Sequence, residues 1–479
     1  MSFNLFAISP IIALALTGFL VIGLSLVFAR ISKSMLLIIS LLGLAASAYF
    51  SLSLWNENAL AFGGMVRADN FSLVFNVIFL IGAALSMMLA FSQHEGGYLL
   101  YAEFFAITAF ATVGMMLMVA SSNLLVIFLG LETLSISLYI LVGIKRTEEK
   151  SLEAAFKYFL LGAFASGFLL YGIAFIYGST GSLDLQEVAN FILGASIKDN
   201  PLMILGGLLI IVGLGFKVAM FPFHMWAPDV YQGAPTPITA FMSTGSKAAG
   251  FAAMLRVLFS TTDGTVSDWV TVLWVISVLT MFFGNIVALV QKNIKRMLAY
   301  SSIAHAGYIL IGIVSWNQAG ASSVVFYLLS YTFMNIGAFG VIAFLSTKEK
   351  EFIELEDFKG LGFQKPVIAI VMAIFMFSLA GLPPTAGFIG KFYLFSAAVK
   401  AGQIPLVILG VVNSMISVYY YLGVVVAMFM KQSDQKWPAT GLISAVSLSL
   451  LLATAGTLGL GLFPSYWIEI FQKIVVSMI

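Results

Sequence analysis

Apolar stretches of about 20 residues or more recur along the whole chain, each long enough to cross a hydrocarbon core of about 30 Å as a helix. They predict spans near 8–29, 35–54, 72–93, 100–119, 121–142, 156–178, 201–224, 235–260, 266–291, 297–316, 321–346, 367–397, 403–430 and 439–463. Polar residues collect in the short segments between them. Trp55, Trp269, Trp316, Trp437 and Trp467 fall near the ends of these runs, as an interfacial aromatic belt requires. Beyond the last run, Trp467, Ile470, Phe471, Ile474 and Val475 share one helical face, which predicts a short interfacial helix. No Lys or Arg precedes the first run, and that run is long enough to span, so no cleavable signal is expected. The pattern is that of an all-α polytopic membrane protein with about fourteen transmembrane helices.

Fourteen spans put both termini on one side, and loop charge selects which side. With the 30–34 loop in the cytoplasm, the loops on that side hold 14 Lys or Arg, from Arg30 and Lys33 to Lys431 and Lys436. The other side holds 5: Arg67, Lys198, Arg256, Lys400 and Lys473. The positive-inside bias therefore places both termini outside. Composition agrees with a membrane as solvent, because 61% of residues are hydrophobic and 9% charged, against about a quarter charged in soluble domains. A net charge of +2 calls for no nucleic acid. With no cysteine the chain cannot ligate an iron–sulfur cluster or carry a c-type haem. His94, His224 and His305 are too scattered for a metal site, so no metal is expected. Gly459-Leu-Gly461 lacks the third glycine of a dinucleotide fingerprint and lies inside an apolar run. The mixed-sign stretches 145–153 and 348–359 read as solvated cytoplasmic faces rather than binding sites.

Five ionisable residues stand where charge is expensive. Glu132 lies halfway along the fifth run, Lys217 deep in the seventh, Lys247 mid-way in the eighth, His305 mid-way in the tenth and Lys391 well inside the twelfth. A charge at the centre of a lipid-exposed helix costs at least ~2.5–3.5 kcal/mol, so these residues must face a protein-lined interior. Bland readings exist: Lys391 could snorkel to an interface, Glu132 could form a static pair with one lysine, and His305 could be a packing residue. Three lysines to one glutamate exceed what a static pair explains. Amines removed from water hold protons less tightly, a nearby carboxylate restores that hold, and imidazole titrates near neutrality. A row of such groups is the chemistry of a proton relay.

Their spacing suggests an internal repeat. Glu132 and Lys217 are 85 residues apart, His305 and Lys391 86; Glu132 to His305 is 173 and Lys217 to Lys391 is 174. Each falls in a corresponding helix of two five-span blocks, spans 4–8 and 9–13, and an odd number of spans per block inverts the second copy. Helix breakers flank both lysines: Pro222, Pro228, Pro235 and Pro237 follow Lys217, while Gly381, Pro383, Pro384, Gly387 and Gly390 precede Lys391. The expected organisation is three helices over 1–99, a first repeat over 100–260, an inverted second repeat over 266–430, and a last span with its tail over 431–479. Helices 7 and 12 are expected to be broken, which is tolerated at membrane depth only beside protein or a wet cavity.

PFHMWAPDVYQGAPTPITAF (222–241), YSSIAHAGY (300–308) and GLPPTAGFIGKFY (381–393) resemble signatures of the antiporter-like membrane subunits of respiratory complex I, in the branch related to mitochondrial subunit 2. The likeness covers nearly the whole chain. It implies fourteen helices with two inverted five-helix repeats, in the membrane arm of an NADH–quinone oxidoreductase in a bacterial inner membrane. Its implied partners are the other membrane-arm subunits and the lipid bilayer. FMN, iron–sulfur clusters and the NADH and quinone sites would belong to other subunits, with no cofactor on this chain. Glu132 matches the family's glutamate, Lys217 the lysine of the first broken helix, Lys247 and His305 the central connecting residues, and Lys391 the lysine of the second broken helix near the proposed exit. The long lateral helix of the largest family members is not expected, since the chain ends shortly after span fourteen. The expected function is proton translocation along Glu132–Lys217–Lys247–His305–Lys391. The alternatives are a subunit of a multisubunit cation/proton antiporter without redox coupling, and a purely structural membrane-arm subunit.

Overall fold

The computed structural model describes residues 4–28, 31–92, 99, 101–194, 200–261, 266–433, 437 and 444–476. Arg30, His94, Lys198 and Lys436, and the outermost residues of several expected spans, lie outside the described residues. In chain order come α1 (Ser9–Val27), α2 (Lys33–Ser53), a ribbon of β1 (Ala59–Ala61) and β2 (Val66–Ala68), α3 (Asn70–Leu89), α4 (Ala102–Ala120), α5 (Leu124–Val142), α6 (Glu149–Thr180), α7 (Leu185–Gly194) and α8 (Pro201–Val218). There follow α9 (Ala227–Gly233), α10 (Thr236–Phe241), a π turn (Met242–Ser246), α11 (Lys247–Thr261), α12 (Val266–Leu289), α13 (Ile294–Val314) and α14 (Gln318–Leu345). The last are α15 (Leu361–Gln364), α16 (Pro366–Ala380), α17 (Ala386–Lys400), α18 (Ile404–Met430), α19 (Ala445–Leu462) and α20 (Pro464–Val476).

Among the described residues, 12 helices are long and apolar enough to cross a membrane. Two further expected spans are composite. The run 236–261 passes without interruption through the π turn, and 366–400 is divided into α16 and α17. Many helices start where a short polar side chain can accept from a free first-turn amide: Ser32, Asp69, Asn123, Asn200, Asn293, Asn317 and Ser444 each do so. α13 and α14 are buried almost throughout and form the centre, while α1, α2 and α6 turn much of their apolar surface outward. α20 buries Phe471, Ile474 and Val475 against the bundle. Periodicity alone misses α7, which is too short to span and buries Leu185, Val188, Ala189 and Ile192 on one face.

One local arrangement occurs twice. Asn123 bridges to Asp184 and Asn293 to Glu354. Leu124 N–H donates to Leu183 O (2.9 Å), and Ile294 N–H to Ile353 O (2.7 Å). Gly114 packs so closely that a Cβ would lie 2.5 Å from Leu134 N, and Gly284 likewise 2.5 Å from Ala304 N. All these pairs are 170 residues apart. The register of 173 that paired Glu132 with His305 is therefore corrected: Glu132 corresponds to Ser302, and His305 to Ser135. At the helix breaks the register changes again. Met220 N–H donates to Gly215 O and Leu382 N–H to Phe377 O, both at 3.0 Å, with Ala219 and Gly381 left-handed (φ 57° and 86°). These pairs are 162 apart, because the first copy carries α7 where the second has a shorter connection. Lys217 thus precedes its break and Lys391 follows its own, so their equal spacing does not make them equivalent positions.

Three basic residues read as loop charges are buried. Lys145 packs against Glu148 (3.3 Å) and so is not on a solvated face. Lys295 donates to Ala234 O (2.8 Å) and Glu351 Oε1 (3.1 Å). Arg256, counted above with the outer loops, lies inside α11 and forms a two-pronged pair with Asp69, Nη1–Oδ2 and Nη2–Oδ1 both at 2.8 Å. Arg256 also covers the Phe71 ring at 5.2 Å, and Asp69 caps α3 through Ser72 N–H. The pair ties α11 to the N-terminal helices. Asp69→Ala, which strands a buried guanidinium, is expected to destabilise the protein by about 3–5 kcal/mol. Adding Arg256→Met should restore part of that loss. Thermal unfolding of the three proteins checks this, and equal melting of wild type and Asp69→Ala would exclude it.

Candidate functional site

The first half of the site is built on α5, α6 and α8. α8 ends one residue after Lys217, whose side chain is 3% exposed. Its Nζ donates to Ser135 Oγ (2.9 Å) and Tyr158 OH (3.4 Å) and lies 5.7 Å from the Tyr158 ring centre. Tyr158 is fixed by stacking on Trp226, with centroids 4.6 Å apart, and Trp226 donates from Nε1 to Phe216 O (3.0 Å). Glu132 stands one turn before Ser135 on α5, half-buried, and accepts from Ser166 Oγ of α6. A small space of about 10 Å3 is lined by Lys217, by its partner Ser135, and by Ser166, which bonds Glu132. That is near the minimum for one water molecule.

The second half surrounds α13. Lys247 opens α11 directly after the π turn, a distortion that often marks functional positions. Its Nζ donates to the backbone oxygen of Ser302 and to Ser302 Oγ (2.5 Å) and faces the Tyr331 ring at 5.7 Å. One turn along α13 from Ser302, His305 is bonded at both ring nitrogens: Nδ1 with Tyr327 OH (2.6 Å) and Nε2 with Tyr421 OH (3.0 Å). Tyr421 OH also bonds Ser301 Oγ. Beside Lys247, Ser246 Oγ and Tyr331 OH are buried with no partner among the described residues, and such atoms are usually met by ordered water.

Lys391 points back across its own helix break. Its Nζ donates to Leu379 O (3.2 Å), Ala380 O (3.0 Å) and Ser414 Oγ (3.0 Å), and lies 4.7 Å from the Tyr308 ring centre. Leu379 and Ala380 hold terminal carbonyls of α16, the negative end of that half-helix. Gly381 makes the approach possible, since a Cβ there would lie 3.0 Å from Lys391 Cδ in a left-handed backbone. Lys391 is 4% exposed and turned into the protein, so it does not snorkel.

The structure brings Lys247 of α11 to Ser302, one turn from His305 on α13, and places Glu132 near Lys217. None of the three lysines is paired with a carboxylate among the described residues. This separates them from the structural ions nearby, where Asp229 takes Arg296 (2.6 Å) and Lys157 (2.9 Å). Hydroxyls, carbonyls and ring faces accept from a charged amine, yet leave no stranded counter-charge when its proton departs. Sequence reasoning missed Tyr158, Tyr327 and Tyr421, which carry the contacts. Their only signal was polar tips inside apolar runs, with Tyr327 and Tyr331 one turn apart.

Residues 121–417 match the family model described as NADH:quinone oxidoreductase/Mrp antiporter, transmembrane. The chain is 47% identical to NADH-quinone oxidoreductase subunit N of Trichlorobacter lovleyi over 98% of its length and 97% of that protein's. It resembles a chain of respiratory complex I from Thermus thermophilus, solved with bound aureothin, at TM-score 0.81 and 36% identity, covering 96% of this chain and 98% of that one. A chain of the Mrp complex from Dietzia shares the fold at TM-score 0.87 and 20% identity, over 99% and 98% of the two chains.

Tyr421→Phe tests the second half of the site directly. It leaves Ser301 Oγ and His305 Nε2 unpartnered, at an expected cost of about 1–3 kcal/mol. Thermal unfolding measures the loss, and an unchanged melting temperature would refute the contact.

Proposed function

Because this chain belongs to the NADH:quinone oxidoreductase/Mrp antiporter transmembrane family, we propose that it is the subunit-N-type membrane-arm subunit of an NADH–quinone oxidoreductase and translocates protons. The near full-length relationship at 47% identity favours this over an Mrp-type antiporter, whose likeness extends to the fold alone. The observation that carries the relay is the set of buried lysines with no carboxylate partner among the described residues, Lys217 on a helix long and apolar enough to cross the membrane and Lys247 and Lys391 on the two composite spans. Oxidation of NADH and reduction of quinone, with FMN and iron–sulfur clusters, fall to other subunits of the assembly, and this chain supplies the path for the proton.

Movement or protonation at Glu132 alters the field at Lys217 across the small space between Ser166 and Ser135. The proton then passes by way of Lys247, Ser302 and His305 to Lys391 and leaves on the outer side. Ser302 and His305 support the middle step, being one turn apart and bonded to Lys247 and to two tyrosines. The organisation proposed is three N-terminal helices (1–99), two inverted five-helix repeats (100–260 and 266–430) and a last span with its tail (431–479). The contacts duplicated at 170 residues support it. The location proposed is a bacterial inner membrane with both termini outside, supported by loop charge.

Lys217→Ala is expected to lower protons pumped per NADH oxidised, by half or more, with Lys217→Arg nearer wild type. Inverted membrane vesicles report pumping, and NADH oxidation with an artificial acceptor reports assembly. An unchanged ratio in an assembled Lys217→Ala complex would overturn the relay. A purified particle lacking flavin and iron–sulfur signals would overturn the oxidoreductase assignment.

A further inference from the structure

We propose that the cleft between α14, α16 and α19 is a binding site for an anionic phospholipid, with acyl chain in the cleft and phosphate on Lys365. The inference rests on the chain's spanning a membrane and not on the proton relay. The cleft has a volume of about 470 Å3 and apolar walls, among them Phe344, Val367, Val371, Leu450 and Leu451. Its polar mouth carries Gln364, Lys365 and Ser447. Pro366 begins α16, Ser444 caps the start of α19 and Leu345 ends α14, so the mouth lies at one common end of three helices. Loop charge assigns that end to the cytoplasm. A head group at the mouth would sit at interface depth, with the walls running into hydrocarbon.

Length selects the occupant. The wall on α19 runs from Ser447 to Thr454, about 10 Å at the helical rise. A partner's transmembrane helix needs about 30 Å. A lipid tail in a single leaflet is deep enough for a cleft of that length. Charge selects the head group. Among the described residues Lys365 is half-exposed with no acidic partner, whereas Lys350 holds Asp357 and Lys359 holds Glu356. A cation with no acidic partner among the described residues, at the mouth of an apolar cleft on the cytoplasmic side, favours a phosphate without a compensating choline.

The test uses the assembled membrane complex in detergent, exchanged with diazirine-tailed phosphatidylglycerol or phosphatidylcholine, then cross-linked and mapped by peptide mass spectrometry. Phosphatidylglycerol should label peptides covering 366–371 and 447–454 in preference to phosphatidylcholine. Lys365→Gln should lower that labelling about fivefold, with Lys365→Arg close to wild type. Leu451→Trp, which fills the cleft and leaves the head-group site intact, should lower labelling by both lipids. Equal labelling by the two lipids, or labelling indifferent to both Lys365→Gln and Leu451→Trp, would overturn the proposal. So would a photoreactive residue at Val367 that cross-links to another protein chain. Pumping is not read in this experiment, so its failure and a failure of the relay are separate results.

Discussion

Hydrocarbon offers no hydrogen bond, and that constraint organises this protein at every level. Backbone groups are satisfied inside helices, so the chain is almost wholly helical, and helix starts are met by Ser, Asp or Asn side chains. Where helices break at membrane depth, protein surrounds the freed groups: Trp226 Nε1 donates to Phe216 O, and Lys391 takes carbonyls at the end of α16. The second break thus serves two purposes. It frees carbonyls that would be costly alone, and it gives an amine that would be costly alone somewhere to donate.

The same constraint divides the buried charges into two kinds. Arg256 with Asp69 is a buried matched pair, and Asp229 gathers Arg296 and Lys157 in a half-exposed cluster; both join elements far apart in the chain. Removing Asp69 strands the buried Arg256, which makes that pair fixed. Lys217, Lys247 and Lys391 are met instead by hydroxyls, carbonyls and aromatic faces. Such partners tolerate both the charged and the neutral amine. One molecule therefore holds ion pairs at the joints between helices and, along its centre, amines met only by neutral partners among the described residues.

Tyrosine provides much of that neutral environment. Both nitrogens of His305 meet tyrosyl hydroxyls, and rings flank all three lysines. A hydroxyl can donate or accept, so the surroundings of His305 can follow its tautomer without moving a helix. Gly381 adds a backbone requirement, since its left-handed φ of 86° favours glycine and a Cβ there would crowd Lys391 Cδ at 3.0 Å.

The spans, the cost of Glu132 and the lysines at their depths, and the presence of two breaks were all legible in the sequence, because each depends on a local property: an apolar run of membrane length, a charge within it, a proline or glycine cluster. Correspondence between the halves was not. Counting residues paired Glu132 with His305 and Lys217 with Lys391, but α7 shifts the register from 170 to 162, and a loop insertion leaves no trace in a spacing. Arg256 read as a loop charge because its partner, Asp69, is 187 residues away. Tyr421 reaches His305 across 116 residues. The sequence by itself determined which segments enter the membrane and which charges they must carry, since hydrocarbon imposes that cost on any segment alone. Only the tertiary structure decided which charges meet a counter-charge and which meet neutral partners, because that choice is made by side chains brought together from helices far apart in the chain.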